Sequence, residues 1–213
     1  MYIAFALTIA YLLGAVPFSL LIARLAGVRD LRQIGSGNLG ATNVWRAAGP
    51  VAGMSVFLAD IGKGAAAVFA ALIILPSHTP MLLALAGLAA VLGHVFPIYL
   101  GFRGGKGAAT GLGVMFMLQP LATLAALVVF LLVALVWRYV SLASICGALA
   151  LFVAVVVQEH VLKLAVPDFD FYLTALLALL IIITHRQNVV RLIRGTENRF
   201  SFSSRSPKVG SHV

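Results

Sequence analysis

Three polar stretches interrupt an otherwise apolar chain, and each carries residue types suited to holding a phosphate. The first is Gly35-Ser-Gly-Asn-Leu-Gly-Ala-Thr-Asn-Val-Trp-Arg46. Glycines let backbone amides turn toward an anion. Ser36, Asn38, Thr42 and Asn43 add neutral hydrogen-bonding groups, and Arg46 adds a fork-shaped cation that matches phosphate. The second runs from Gly93 to Gly107 and ends in Gly104-Gly-Lys-Gly107, where glycines permit close backbone approach and Lys106 supplies charge. The third is His185-Arg-Gln-Asn188, followed by Arg191, Arg194 and Glu197. His185 and Asn188 are three apart and can share a helical face. A histidine there can act as a general base or donate a hydrogen bond.

Ordinary explanations exist for each stretch. The first could be a turn-rich loop, the second a basic juxtamembrane turn, and Arg191 and Arg194 could simply neutralise a helix C-terminus. His94 reads as structural, because it lies in the last turns of an apolar run, and His78, His160 and His212 stand isolated. The second stretch is not an ATP-binding loop of the form G-x-x-x-x-G-K-[ST]. Leu100 stands where its first glycine belongs, and Gly107 replaces the hydroxyl residue that would bind magnesium.

The elements that position these stretches are membrane spans. Of 213 residues 62% are hydrophobic and only 10% charged, against about 25% charged in a soluble domain. A span needs about 20 apolar residues. Seven segments qualify, near 3–25, 51–76, 80–99, 106–118, 121–138, 141–162 and 170–185, the fourth being short. The expected fold is an all-α integral membrane protein of about seven transmembrane helices. One domain covers 1–198, and 199–213 forms a flexible basic, serine-rich tail. The first segment lacks a basic leader and reads as a retained span and not a signal peptide.

With the N-terminus outside, fourteen of the fifteen Lys and Arg residues fall on the cytoplasmic side, including the C-terminus, and only Lys163 falls outside. That asymmetry sets orientation and explains the net charge of +9 without nucleic acid. All three polar stretches then meet on one face beside an apolar wall, which suits a substrate with a phosphate and a greasy chain. Asp60 and Lys63, three apart within the second span, read as a structural ion pair ahead of a substrate contact. The single cysteine, Cys146, excludes an internal disulfide, and no cysteine metal cluster is present.

Gly35-Ser-Gly-Asn-Leu-Gly-Ala-Thr-Asn43 with Arg46, Gly104-Gly-Lys-Gly107, and His185-Arg-Gln-Asn188 with Glu197 together resemble the bacterial acyl-phosphate:glycerol-3-phosphate acyltransferases, the PlsY family. The resemblance covers essentially the whole chain. It implies transfer of a fatty acyl group from acyl phosphate to the 1-hydroxyl of glycerol 3-phosphate. The products would be 1-acylglycerol 3-phosphate and phosphate, at the start of phospholipid synthesis in the bacterial inner membrane. It implies no cofactor or metal, and neither CoA nor acyl-carrier protein as donor. The H-x-x-x-x-D motif of other glycerolipid acyltransferases is absent, since Tyr99 follows His94 and Val190 follows His185 at that spacing. Carried onto matching positions, the resemblance makes His185, Asn188, Ser36 and Lys106 catalytic. Arg46, Asn38, Thr42, Asn43, Gly104, Gly105 and Gly107 would bind substrate, and Glu197 would maintain structure. The competing reading is a small secondary transporter of phosphorylated solutes, which Asp60 and Lys63 most favour.

Overall fold

The structure, a computed structural model, describes residues 1–76 and 79–200; His78, His212 and tail residues 201–213 lie outside the described residues. Among the described residues all regular structure is helical: α1 (Tyr2–Ala15), α2 (Phe18–Leu25), α3 (Ala41–Ile74), α4 (Pro80–Val95), α5 (Ala108–Leu118), α6 (Pro120–Trp137), α7 (Val140–His160), α8 (Asp168–Thr184) and α9 (Arg186–Ile193). Pro80 and Pro120 open α4 and α6, where a missing N–H removes no helical hydrogen bond. Leucines and valines such as Leu132, Leu135 and Val136 remain exposed on the outer faces, as a lipid-facing surface requires.

The inward faces are built from small residues. Ala6, Ala10, Ala67, Ala71, Ala86 and Ala90 belong to one buried cluster. Glycines bring backbones together at the tightest crossings. A Cβ on Gly14 would lie 1.9 Å from the Ala90 carbonyl, and one on Gly93 would lie 2.2 Å from that of Tyr11, so α1 and α4 touch main chain to main chain. Gly64 meets the Thr110 carbonyl and Gly113 the Ile61 carbonyl in the same way, which seats α5 on α3. Small residues are how helices pack where lipid removes the hydrophobic incentive.

Two long helices are broken. Gly49 (φ 88°, ψ 177°) interrupts α3 before Pro50, so 41–48 forms a separate arm carrying Thr42, Asn43 and Arg46. The first span divides at Val16-Pro17 into α1 and α2. The freed Val16 carbonyl accepts a hydrogen bond from Lys63 Nζ at 2.9 Å.

Among the described residues, five helical segments can cross a bilayer by length and composition, and six if α8 and α9, which meet at 59°, are taken together. The expected fourth span is shorter than the others: α5 has 11 residues. Its two ends are nevertheless anchored at opposite ends of α8. The Lys106 carbonyl accepts a hydrogen bond from Thr184, while Gln119 donates to Asp170 at 2.8 Å. Those partners lie fourteen residues apart in α8, a helical rise of about 21 Å at 1.5 Å per residue. Segment 106–119 therefore runs the length of α8.

Gly113→Ala should place a methyl inside the α3–α5 contact and cost about 1–3 kcal/mol, read as a lower unfolding temperature in detergent. Gly62→Ala meets nothing within 4 Å and should be neutral or stabilising.

Candidate active site

The 35–46 stretch folds around one side chain. Asn43 Oδ1 accepts from the Ser36 amide at 3.1 Å, and its amide group donates to the Leu31 and Ile34 carbonyls at 3.1 and 3.0 Å. Gly35 and Gly37 adopt positive φ and let the chain curl over Asn43. Asn43 thus holds the loop in shape and also lines the cavity. Ser36, Asn38, Thr42 and Arg46 line the principal cavity.

The glycine loop departs from expectation. The Gly104 and Gly105 amides do not turn toward an anion. They donate to the Val95 and His94 carbonyls at 3.0 and 3.1 Å, satisfying the last carbonyls of α4. A Cβ on Gly104 would lie 2.1 Å from the His94 carbonyl, so glycine is needed for this close approach to protein backbone. Gly107 (φ 86°) then turns the chain into α5 and, with Lys106, lines the cavity.

The third stretch supplies the opposite wall. His185 is the turn between α8 and α9, and Asn188 is buried on α9. Asn188 accepts a short hydrogen bond from the Lys106 ammonium through Oδ1 and donates to Glu197 through Nδ2 at 2.7 Å. Glu197 also accepts from Ser141 at 2.8 Å and from Arg191 Nε at 2.7 Å. One carboxylate thereby joins α7, α9 and, through Asn188, the lysine loop. The chain after Glu197 crosses the site: Arg46 donates to the Asn198 carbonyl at 3.4 Å, and the Phe200 ring lies 4.8 Å from that of Trp45.

Electrostatics follow from this enclosure. Burial pushes the half-buried Lys106 ammonium down to about 8, helped by the Arg191 and Arg46 cations and opposed by Glu197. His185 is buried, and its Nδ1 lies 2.8 Å from the Ile181 carbonyl. A carbonyl only accepts, so Nδ1 carries the proton, and in the neutral ring Nε2 keeps the lone pair. Burial raises Glu197, but hydrogen bonds from Asn188, Arg191 and Ser141 outweigh it and keep the group below the usual carboxylate range.

All these side chains open on one cavity of about 200 Å³. Its polar end carries Ser36, Arg46, Lys106, His185 and Asn188. Its other end runs between α5, α6, α7 and α8, walled by Leu112, Leu127, Phe130, Leu151 and Leu177. Sequence reasoning missed Ser141 and Asn198 on the rim. Ser141 and Ser144, three apart at the start of an otherwise apolar helix, form a polar face that could have pointed there. Among the described residues no cluster of His, Cys, Asp or Glu could hold a metal ion.

An all-helical membrane protein with a basic pocket opening into an apolar channel is built to act on a phosphorylated, lipid-bearing substrate. The family described as glycerol-3-phosphate acyltransferase matches residues 4–195. The glycerol-3-phosphate acyltransferase of Syntrophotalea carbinolica is 44% identical over 191 residues, covering 90% of this chain and 94% of that relative. That of Aquifex aeolicus is 43% identical over 198 residues, covering 92% and 98%. The crystal structure of PlsY, an integral membrane glycerol 3-phosphate acyltransferase, in its glycerol 3-phosphate form superposes with TM-score 0.85 at 42% identity, covering 94% of this chain and 96% of that one. Its lysophosphatidic acid form gives 0.83 at 40% identity, covering 95% and 97%. The chain belongs to the glycerol-3-phosphate acyltransferase family. The transporter reading loses its basis, since Asp60 and Lys63 pair with each other at 2.7 Å inside the protein.

Because Lys106 titrates near 8 in the empty enzyme and only its charged form attracts phosphate, kcat/KM for glycerol 3-phosphate should fall as pH rises above about 8. Lys106→Arg, charged throughout, should remove that limb, as a pH–rate profile of each enzyme would show.

Proposed function

We propose that the acyl group this enzyme transfers comes from acyl phosphate and lands on the 1-hydroxyl of glycerol 3-phosphate, giving 1-acylglycerol 3-phosphate and phosphate. The observation that carries the reading is the continuity of one cavity from Lys106, Arg46 and Ser36 to the apolar walls of α5–α8. A phosphate at the polar end leaves the acyl chain only the apolar branch to occupy. Membership in the family supports glycerol 3-phosphate as acceptor, and the excess of basic residues in the three loops favours a site on the cytoplasmic side of the bacterial inner membrane.

Acyl phosphate is already activated, so the reaction needs no ATP, CoA or acyl-carrier protein. The glycerol hydroxyl oxygen attacks the acyl carbon, a new ester C–O bond forms, and the C–O bond to phosphate breaks with its electron pair on phosphate. Holding both reactants together is worth about 7–11 kcal/mol of barrier. Lys106 and Arg46 offset the negative charge of the two phosphates, and Ser36 offers a hydrogen bond to the developing oxyanion. The proton has two possible acceptors, His185 Nε2 and a substrate phosphate. A phosphate has a second pKa of about 6, so a substrate phosphate can accept the proton near neutral pH without a protein base. We assign the proton to phosphate and give His185 the task of orienting the hydroxyl through its Nε2 lone pair.

Purified enzyme given palmitoyl phosphate and glycerol 3-phosphate should release phosphate, and palmitoyl-CoA should not replace the donor. His185→Gln should lower kcat by less than the factor of about 100 at which general-base loss begins; a larger fall at unchanged KM would make His185 the base. Ala148 lines the apolar branch, and Ala148→Phe should shift preference toward shorter acyl phosphates, measured as relative kcat/KM.

A further inference from the structure

We propose that His94 is a positioning residue of this acyltransferase. Its ring, backed by the buried Asp60–Lys63 pair, seats the Gly104–Gly105 backbone and so aims Lys106 at the phosphate of glycerol 3-phosphate. His94 sits in the last turn of α4 and is only 8% exposed. Its Nδ1 lies 3.6 Å from Asp60 Oδ1, beyond hydrogen-bond distance, so packing against the carboxylate holds the ring. Asp60 is itself fixed by Lys63 at 2.7 Å, and Lys63 donates in turn to the Val16 carbonyl at the break between α1 and α2.

The other edge of the ring meets the glycine loop. A Cβ on Gly105 would lie 2.1 Å from His94 Nε2 and 2.8 Å from the Leu39 carbonyl. The imidazole fills the space a side chain at 105 would take, with the 35–46 loop closing it from behind. The same residue holds the loop through its main chain, because its carbonyl accepts from the Gly105 amide at 3.1 Å. Lys106 comes next, its carbonyl held by Thr184 and its ammonium by Asn188. The loop is thus clamped before the lysine by His94 and after it by α8. Only the His94 clamp reaches back to the first span, which gives that buried triad a task in the site.

The inference rests on Lys106 facing the phosphate of glycerol 3-phosphate, so the test separates the two. Full-length enzyme in detergent is assayed with palmitoyl phosphate as His94→Ala, Lys106→Ala and the double variant. Removing His94 should raise KM for glycerol 3-phosphate by about tenfold or more and leave KM for palmitoyl phosphate within about twofold. In the Lys106→Ala background the same substitution should raise it by less than about twofold further, because coupled residues are not additive. If His94→Ala does not fold, His94→Asn replaces it, with the same readouts. An unchanged KM on losing Lys106 would remove the substrate reading. A KM raised by Lys106→Ala but not by a folded His94 variant, or raised additively in the double variant, would overturn the positioning role alone.

Discussion

A cation set among packed helices must be given acceptors, and in this protein the acceptors of Lys106 organise the whole site. Its ammonium reaches Asn188, Asn188 reaches Glu197, and Glu197 takes hydrogen bonds from Ser141 and Arg191. That chain of contacts ties the loop before α5 to α7 and α9, which are far apart in sequence. Asn188 takes one of the three donors of the ammonium, and phosphate oxygens are acceptors that suit the others.

The apolar side of the cavity follows from different physics. Small residues let α3 and α5, and α1 and α4, approach backbone to backbone. The space left over is displaced toward α6, α7 and α8, where side chains from several helices wall the branch that would take an acyl chain. Breaks in the helices serve the polar end. Gly49 swings the Arg46 arm over the pocket, Gly107 admits Lys106, and the bend after Thr184 turns His185 and Asn188 inward. Regular helix supplies the membrane framework and its interruptions supply the chemistry, as expected where irregular backbone is tolerated only when it lines protein or a cavity.

Much of this was legible from composition. Polar, glycine-rich runs between apolar segments stand out because charge inside a span is costly, so Ser36, Arg46, Lys106, His185 and Asn188 could be picked out together. The structure brings them onto one cavity. What stayed hidden was the direction of individual hydrogen bonds. Glycines read as an anion nest whether their amides face a ligand or a helix C-terminus, and Gly104 and Gly105 face a helix. Asn43 reads the same in sequence whether it faces a cavity or braces its own loop, and its three hydrogen bonds to the loop were not visible there. His94 looked inert because its partner Asp60 lies more than thirty residues away, on another span. Segment 106–118 stood out as short because hydropathy shows only its length, and not the hydrogen bonds that tie its two ends to Thr184 and Asp170.

In the proposed reaction one cavity holds both substrates at once, and the glycerol hydroxyl attacks acyl phosphate directly. Initial rates measured at several concentrations of each substrate test it most directly. Reciprocal plots should intersect, and no phosphate should be released from palmitoyl phosphate until glycerol 3-phosphate is added. Parallel lines, with a burst of phosphate in the absence of glycerol 3-phosphate, would mean a covalent acyl-enzyme and would contradict the account.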